Sequence, residues 1–164
     1  FYPKVVDAPA RNKDDRIVEI ESYIKATGAA IAHGGGRAYY RPSTDSIQLP
    51  NFSDFDTAVA YYGTAIHELV HWTGAEKRLD RNLKGANHGK DYAREELVAE
   101  LGAAFASAAL GIENTPREDH INYLASWLKV LKEDKKAIFK ASALAQKAVD
   151  HLDSLQPVEE KLAA

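Results

Sequence analysis

The spacing of apolar side chains changes character near residue 53, from short runs broken by turn residues to sustained helical periods. Residues 1–13 carry Pro3 and Pro9 and no helical period, which predicts an extended arm or the end of a linker. Ile17, Ile20 and Ile24 then recur at helical spacing beside Tyr23. Asp14 or Asp15 is available as a cap and Gly28 as a stop. Three short β runs follow. The first, 29–33, ends at the triple glycine 34–36. The other two, 37–41 and 46–49, are joined by Pro42-Ser43-Thr44-Asp45, a turn composition that predicts a hairpin.

Beyond residue 53 the pattern predicts a helix over about 55–73, capped by Asp54 or Asp56 and followed by Gly74. Residues 75–91 are polar, contain Gly85 and Gly89, and read as a charged loop. A further helix over about 91–110 stops at Gly111. Thr115-Pro116-Arg117-Glu118 opens another, to about 132, with an N-cap, a first-turn proline and a capping-box acid. Asp134 opens the last, to about 155, and the tail 156–164 is expected to fray. A small three-stranded sheet followed by helices, about five in all, makes an α+β domain over 14–155.

Composition narrows the function classes. The chain has 164 residues, enough for one domain with its own core. Its 45% hydrophobic and 27% charged residues are those of a globular protein, and no apolar run reaches the ~18 residues of a membrane span. A net charge of −3 supports neither a strong phosphate-binding field nor acidic mimicry of DNA. The absence of cysteine removes disulfides, Cys-based zinc fingers and thiol catalysis together. The chain starts at Phe1 and contains no methionine, which reads as a domain cut from a longer protein.

The candidate chemistry lies in His67-Glu68-Leu69-Val70-His71, an H-E-x-x-H motif inside a predicted helix. Positions four apart on a helix differ by only ~40° and rise ~6 Å, so both imidazoles project from one face toward one ion. Zn²⁺ accepts two such nitrogens, and a catalytic site needs only three protein ligands plus water. Glu68 follows the first histidine, where its carboxylate reaches that water as a general base. With six histidines in the chain, chance supplies on the order of 0.02 such motifs. The flanking Ala65, Ile66, Leu69, Val70 and Trp72 make the helix largely apolar, and buried histidines without a shared ion would be left unsatisfied.

A third ligand is expected from the following helix, in Arg94-Glu95-Glu96-Leu97-Val98-Ala99-Glu100. Glu96 and Glu100 share a face, which offers one metal ligand and one acceptor for the far nitrogen of a ligand histidine. Spacing alone leaves open which is which. Glu95 projects about 100° away and is expected in solvent. His88 reads first as a solvated loop histidine and second as a transition-state donor. Tyr92, one turn before Glu96, reads first as a packing residue and second as such a donor.

Four stretches together resemble one known family: RAYYRPSTDSIQLP (37–50), HELVHWTGAEKRLDR (67–81), YAREELVAELGAAF (92–105) and YLASWLKVLKEDKKAIFKA (123–141). They are similar to the C-terminal domain of ArdC-type antirestriction proteins, which are encoded on conjugative plasmids and phages and carry a zincin-like metallopeptidase domain. The resemblance covers roughly 15–155. It implies a minimal zincin-like fold, His67 and His71 as zinc ligands and Glu68 as general base. By comparison with gluzincin-type sites it also implies Glu96 as third ligand and Glu100 in support. The family pattern has a Phe-Gly-Ser-type segment where this chain reads Ala86-Asn87-His88-Gly89. The implied activity is zinc-dependent hydrolysis of a protein or peptide in the cytoplasm, with no membrane partner. DNA would be contacted through a separate N-terminal domain. A rival expectation is a catalytically silent, zinc-stabilised module that acts in antirestriction by binding DNA or a restriction complex.

Overall fold

A computed structural model describes residues 16–81, 83, 90–112, 127–128, 131–132 and 134–157. Its elements are α1 (Val18–Ala26), β1 (Ala30–His33), β2 (Tyr39–Arg41), β3 (Ser46–Leu49), a 3₁₀ turn (Phe52–Asp54), α2 (Ala58–Thr73), α3 (Lys90–Ala109) and α4 (Ala137–Ser154). The α+β class and the small three-stranded sheet are as expected, with four α-helices among the described residues. The helix expected from Thr115 to about 132 falls almost wholly outside those residues, as do the arm 1–13 and most of the tail 156–164. Among the described residues no helix is long and apolar enough to cross a membrane.

The sheet order is β1-β3-β2, with β3 parallel to β1 and antiparallel to β2. Ile47 pairs with both Ile31 and Tyr40, and Leu49 pairs with His33. Alternation along β3 sends Ile47 and Leu49 into the core and Ser46 and Gln48 the other way. The hairpin turn is closed at Asp45, a non-glycine residue at φ +48°. Its carboxylate accepts the Tyr40 hydroxyl at 2.8 Å, the Lys77 ammonium at 2.7 Å and both terminal nitrogens of Arg78. The Arg78 guanidinium, ahead of the other donors, holds the Asp45 carboxyl far below the usual carboxylate range.

Helix boundaries shift where side chains find other work. Asp54 does not cap α2, because its carboxylate takes the backbone N–H and side-chain amide of Asn51 and closes the 3₁₀ turn. Thr57 caps instead, accepting the Ala60 N–H at 3.1 Å. At α1 the backbone N–H of Ile17 donates to the Tyr62 hydroxyl, a tertiary bond in place of a side-chain cap. Asp134 does start the last helix, accepting from the Lys136 N–H.

Helix α2 is the centre of the molecule. It packs against α1, β2, β3, α3 and α4, and Tyr62, Ile66, Leu69 and Val70 are fully buried. Each such side chain contributes roughly 1.5–3 kcal/mol of burial. Helix α3 crosses α2 closely at Gly102: a Cβ there would stand 2.9 Å from both methyl carbons of Val70. This approach sets the distance between the two helices that carry the polar residues described below. Gly102→Ala should therefore destabilise the domain. Overpacking costs about 1–3 kcal/mol against a helix-propensity gain of at most ~1 kcal/mol. A lowered urea midpoint is the expected result, and an unchanged or raised midpoint would show that the contact tolerates a methyl group.

Candidate metal centre

The i, i+4 spacing on α2 brings the two imidazoles edge to face, with ring centroids 4.8 Å apart at 81°. Their Nε2 atoms are 3.1 Å apart. Glu96 of α3 completes the cluster, with one carboxylate oxygen 3.6 Å from His67 Nε2 and the other 3.4 Å from His71 Nε2. These three residues place ligand atoms within 4.8 Å of one another. Bonds of ~2.1 Å at tetrahedral angles separate ligand atoms by ~3.4 Å, so the observed separations suit a small divalent cation of the zinc class. Among the described residues these three form the group that could hold a metal ion, and His67 and Glu96 are buried. Glu68, on α2 between the histidines, is buried at 5% exposure.

The outward nitrogens also meet carboxylates. His67 Nδ1 lies 3.2 Å from Glu100 Oε1, within ion-pair distance but not aligned as a hydrogen bond. His71 Nδ1 lies 3.2 Å from Glu95 Oε1 in hydrogen-bond geometry. Glu95 is therefore not in solvent as its angular position suggested. Its carboxylate is nearly buried and also accepts from Arg81, at 3.1 Å from Nε and 2.8 Å from a terminal nitrogen. The reason is packing: Ala93, Leu97, Val98 and Ala99 are all buried, so α3 is enclosed on several sides and Glu95 meets α2. That apolar spread over several sides of α3 is the signal from which the role of Glu95 could be read. Arg81 carries no comparable signal, because its partner is set by how the loop after α2 folds back.

The remaining residues singled out in the sequence divide cleanly. Glu100 sits where the shared face placed it, and Tyr92 is half-buried one turn before Glu96 on α3. His88 lies outside the described residues.

Charges in the cluster act strongly on one another. Burial would lower the pKa of His71, but Glu95 and then Glu96 overcome it and hold the imidazole up at about 10. His67 is likewise raised, with Glu100 and Glu96 outweighing burial. Burial would raise Glu96, yet the two histidines keep it well below the usual carboxylate range. At pH 7 the metal-free cluster thus holds protons that a metal must displace, since only a neutral imidazole is a ligand. Titrating the metal-free protein with Zn²⁺ or Mn²⁺ should release about one proton or more per ion at pH 7, and affinity should fall as the pH is lowered. Calorimetry in buffers of different ionisation enthalpy measures this, and binding without proton release would contradict the charge state described.

A family model for a zincin-like metallopeptidase (MPTase-PolyVal) matches residues 18–144. The uncharacterized protein y4eC of Sinorhizobium fredii (strain NBRC 101917 / NGR234) is 43% identical over 150 residues, covering 92% of this chain and 49% of that protein. Two Escherichia coli proteins named DNA primase TraC are 45% and 48% identical over 80% and 79% of this chain, which spans 9% and 12% of their lengths. The chain thus spans about half or less of the curated relatives it matches. Among solved structures, the antirestriction protein ArdC from plasmid R388 matches in its metal-free form with a TM-score of 0.78 at 40% identity. That match covers 88% of this chain and 52% of that one. The Mn(II)-bound form matches with a TM-score of 0.81 at 39% identity, covering 91% and 56%. By sequence and by fold, the chain belongs to the zincin-like metallopeptidase family as an ArdC-type domain.

Proposed function

We propose that the domain is a zinc-dependent peptidase in which His67, His71 and Glu96 hold the ion and Glu68 is the general base. The observation that carries this reading is the convergence of two Nε2 atoms and one carboxylate beside a buried glutamate on the same helix. When bound, zinc supplies Lewis acidity, which polarises a scissile carbonyl and brings the pKa of water to ~7. Glu68 accepts a proton from the attacking water and passes it to the leaving amine. Glu100 supports His67 from its outer side. Tyr92 and His88 are the positions from which a donor would meet the developing oxyanion. A peptide substrate would pair with the exposed edge of β2, gaining main-chain hydrogen bonds while side-chain pockets choose sequence. By its likeness to ArdC, the activity would serve antirestriction in the cytoplasm of a cell receiving foreign DNA, any DNA contact lying in a separate domain.

A second reading is a metal-stabilised module without turnover that binds DNA or a restriction complex. It draws on the name DNA primase TraC of two relatives that contain the matched segment. Glu68→Gln separates the two. The variant keeps size and polarity, so metal should stay bound while peptide hydrolysis falls by ~10² or more. Equal cleavage of a confirmed substrate would remove Glu68 from the mechanism, whereas full antirestriction by the variant would favour the binding module.

The two acids of α3 should respond differently. Glu96→Ala should abolish high-affinity zinc binding, while Glu100→Ala should weaken it by roughly 10–100-fold. Competition with a chelator reads both, and the reverse order would exchange their roles.

A further inference from the structure

The loop that follows α2 folds back beneath it. Leu79 N–H donates to Thr73 O, Asp80 N–H to Ala75 O and Arg81 N–H to Gly74 O. Asp80 adopts φ +46°, the turn that returns the chain toward α2. Arg81 is consequently almost buried, at 6% side-chain exposure. Its guanidinium donates to Val70 O at 2.6 Å and to Thr73 Oγ1 at 2.8 Å, so it is fixed to the last turn of the helix that carries His71. The remaining donors meet both oxygens of Glu95. The oxygen that accepts from the terminal nitrogen of Arg81 is the same one that faces His71 Nδ1.

From this chain of contacts we infer that Arg81 and Glu95 form a positioning pair that orients His71 and sets the strength of the metal site. The inference rests on the reading of His67, His71 and Glu96 as a metal centre. The two histidines are held in different ways. His67 is 4% exposed, and its Nδ1 lies 3.2 Å from Glu100 without hydrogen-bond alignment. His71 is more open, at 13%, and its Nδ1 is in hydrogen-bond alignment with an acceptor carboxylate whose two oxygens are both held by an arginine. A planar guanidinium suits this task, because its fork fixes both oxygens of a carboxylate at once. Polar groups behind a ligand histidine hold its ring direction and tautomer, and their loss weakens metal binding by about 10–100-fold.

Gly74 supplies independent support. A Cβ at this position would stand 2.9 Å from a terminal nitrogen of Arg81, 3.1 Å from its central carbon and 3.1 Å from the backbone oxygen of His71. The backbone there is right-handed helical, φ −76° and ψ −7°, so alanine meets no backbone strain. The space that alanine would need is the space the guanidinium uses. Gly74→Ala is thus a probe that pushes on Arg81 without changing any charge.

The test uses the whole chain, loaded with Zn²⁺ and read by chelator competition. It is accompanied by thermal melting of the metal-free protein and NMR of the imidazole Nδ1–H protons in the zinc-loaded state. Arg81→Gln combined with Glu95→Gln removes both buried charges together, keeping the size of residue 95 and shortening residue 81. The expected result is near-wild-type melting, Zn²⁺ affinity lowered by about 10–100-fold, and a moved or lost His71 Nδ1–H signal with the His67 signal retained. Gly74→Ala should lower affinity in the same direction, and Arg81→Lys, which keeps the charge but not the fork, should lose less than the double variant. A double variant that folds and binds Zn²⁺ as tightly as wild type, with the His71 signal unmoved, would make the pair merely structural. Should the double variant not fold, Arg81→Lys decides by the same two readouts. If the wild-type chain binds no Zn²⁺, the reading of the metal centre fails first, and this inference with it.

Discussion

The structure turns on the burial of polar side chains in the most enclosed helix of the domain. Helix α2 is flanked by the sheet, α1, α3 and α4, yet two of its buried residues are His67 and Glu68. A polar group in such surroundings costs several kcal/mol unless it is paired. The carboxylates of α3 provide that pairing on both sides of the imidazoles. Glu96 faces the inner nitrogens, and Glu100 and Glu95 face the outer ones. Close packing of the two helices, made possible at Gly102, is what brings these groups within reach.

The fold and the cluster are therefore one design problem. Acids spaced along an isolated α3 would repel one another, and the histidines of an isolated α2 would face water. Together they form an alternating arrangement of imidazole and carboxylate. The ArdC structures with and without Mn(II) match this chain with similar TM-scores, 0.81 and 0.78.

Much of this was legible in the sequence because it follows from periodicity. The spacing of four in His67–His71 and again in Glu96–Glu100 determines which side chains share a face, whatever the tertiary packing. The hairpin and the start of the last helix at Asp134 were likewise local matters of turn chemistry and capping. What was not legible depends on tertiary contact. Asp54 looked like the cap of α2 but is engaged by Asn51, a choice made by the 3₁₀ turn. Glu95 looked solvated because helical angle was taken relative to one buried face, whereas α3 is buried on several. The basic residues after Gly74 read as a charged loop, yet Arg78 and Arg81 are among the least exposed charged side chains of the domain.

Those two arginines give the segment after α2 a character unlike an ordinary connector. Arg78 reaches back to the hairpin turn at Asp45, donates to Trp72 O and lies 3.8 Å from the centre of the Trp72 ring. Three residues later Arg81 reaches the other way, to α3. Surface loops usually accept insertions and deletions because few of their atoms are committed. Here the number of residues between Gly74 and Arg81 is itself a structural parameter. One residue more or less would carry one guanidinium out of register with its partners while leaving the other in place. Length variation among natural relatives should accordingly concentrate outside this interval, and loop grafts into the domain should leave it intact.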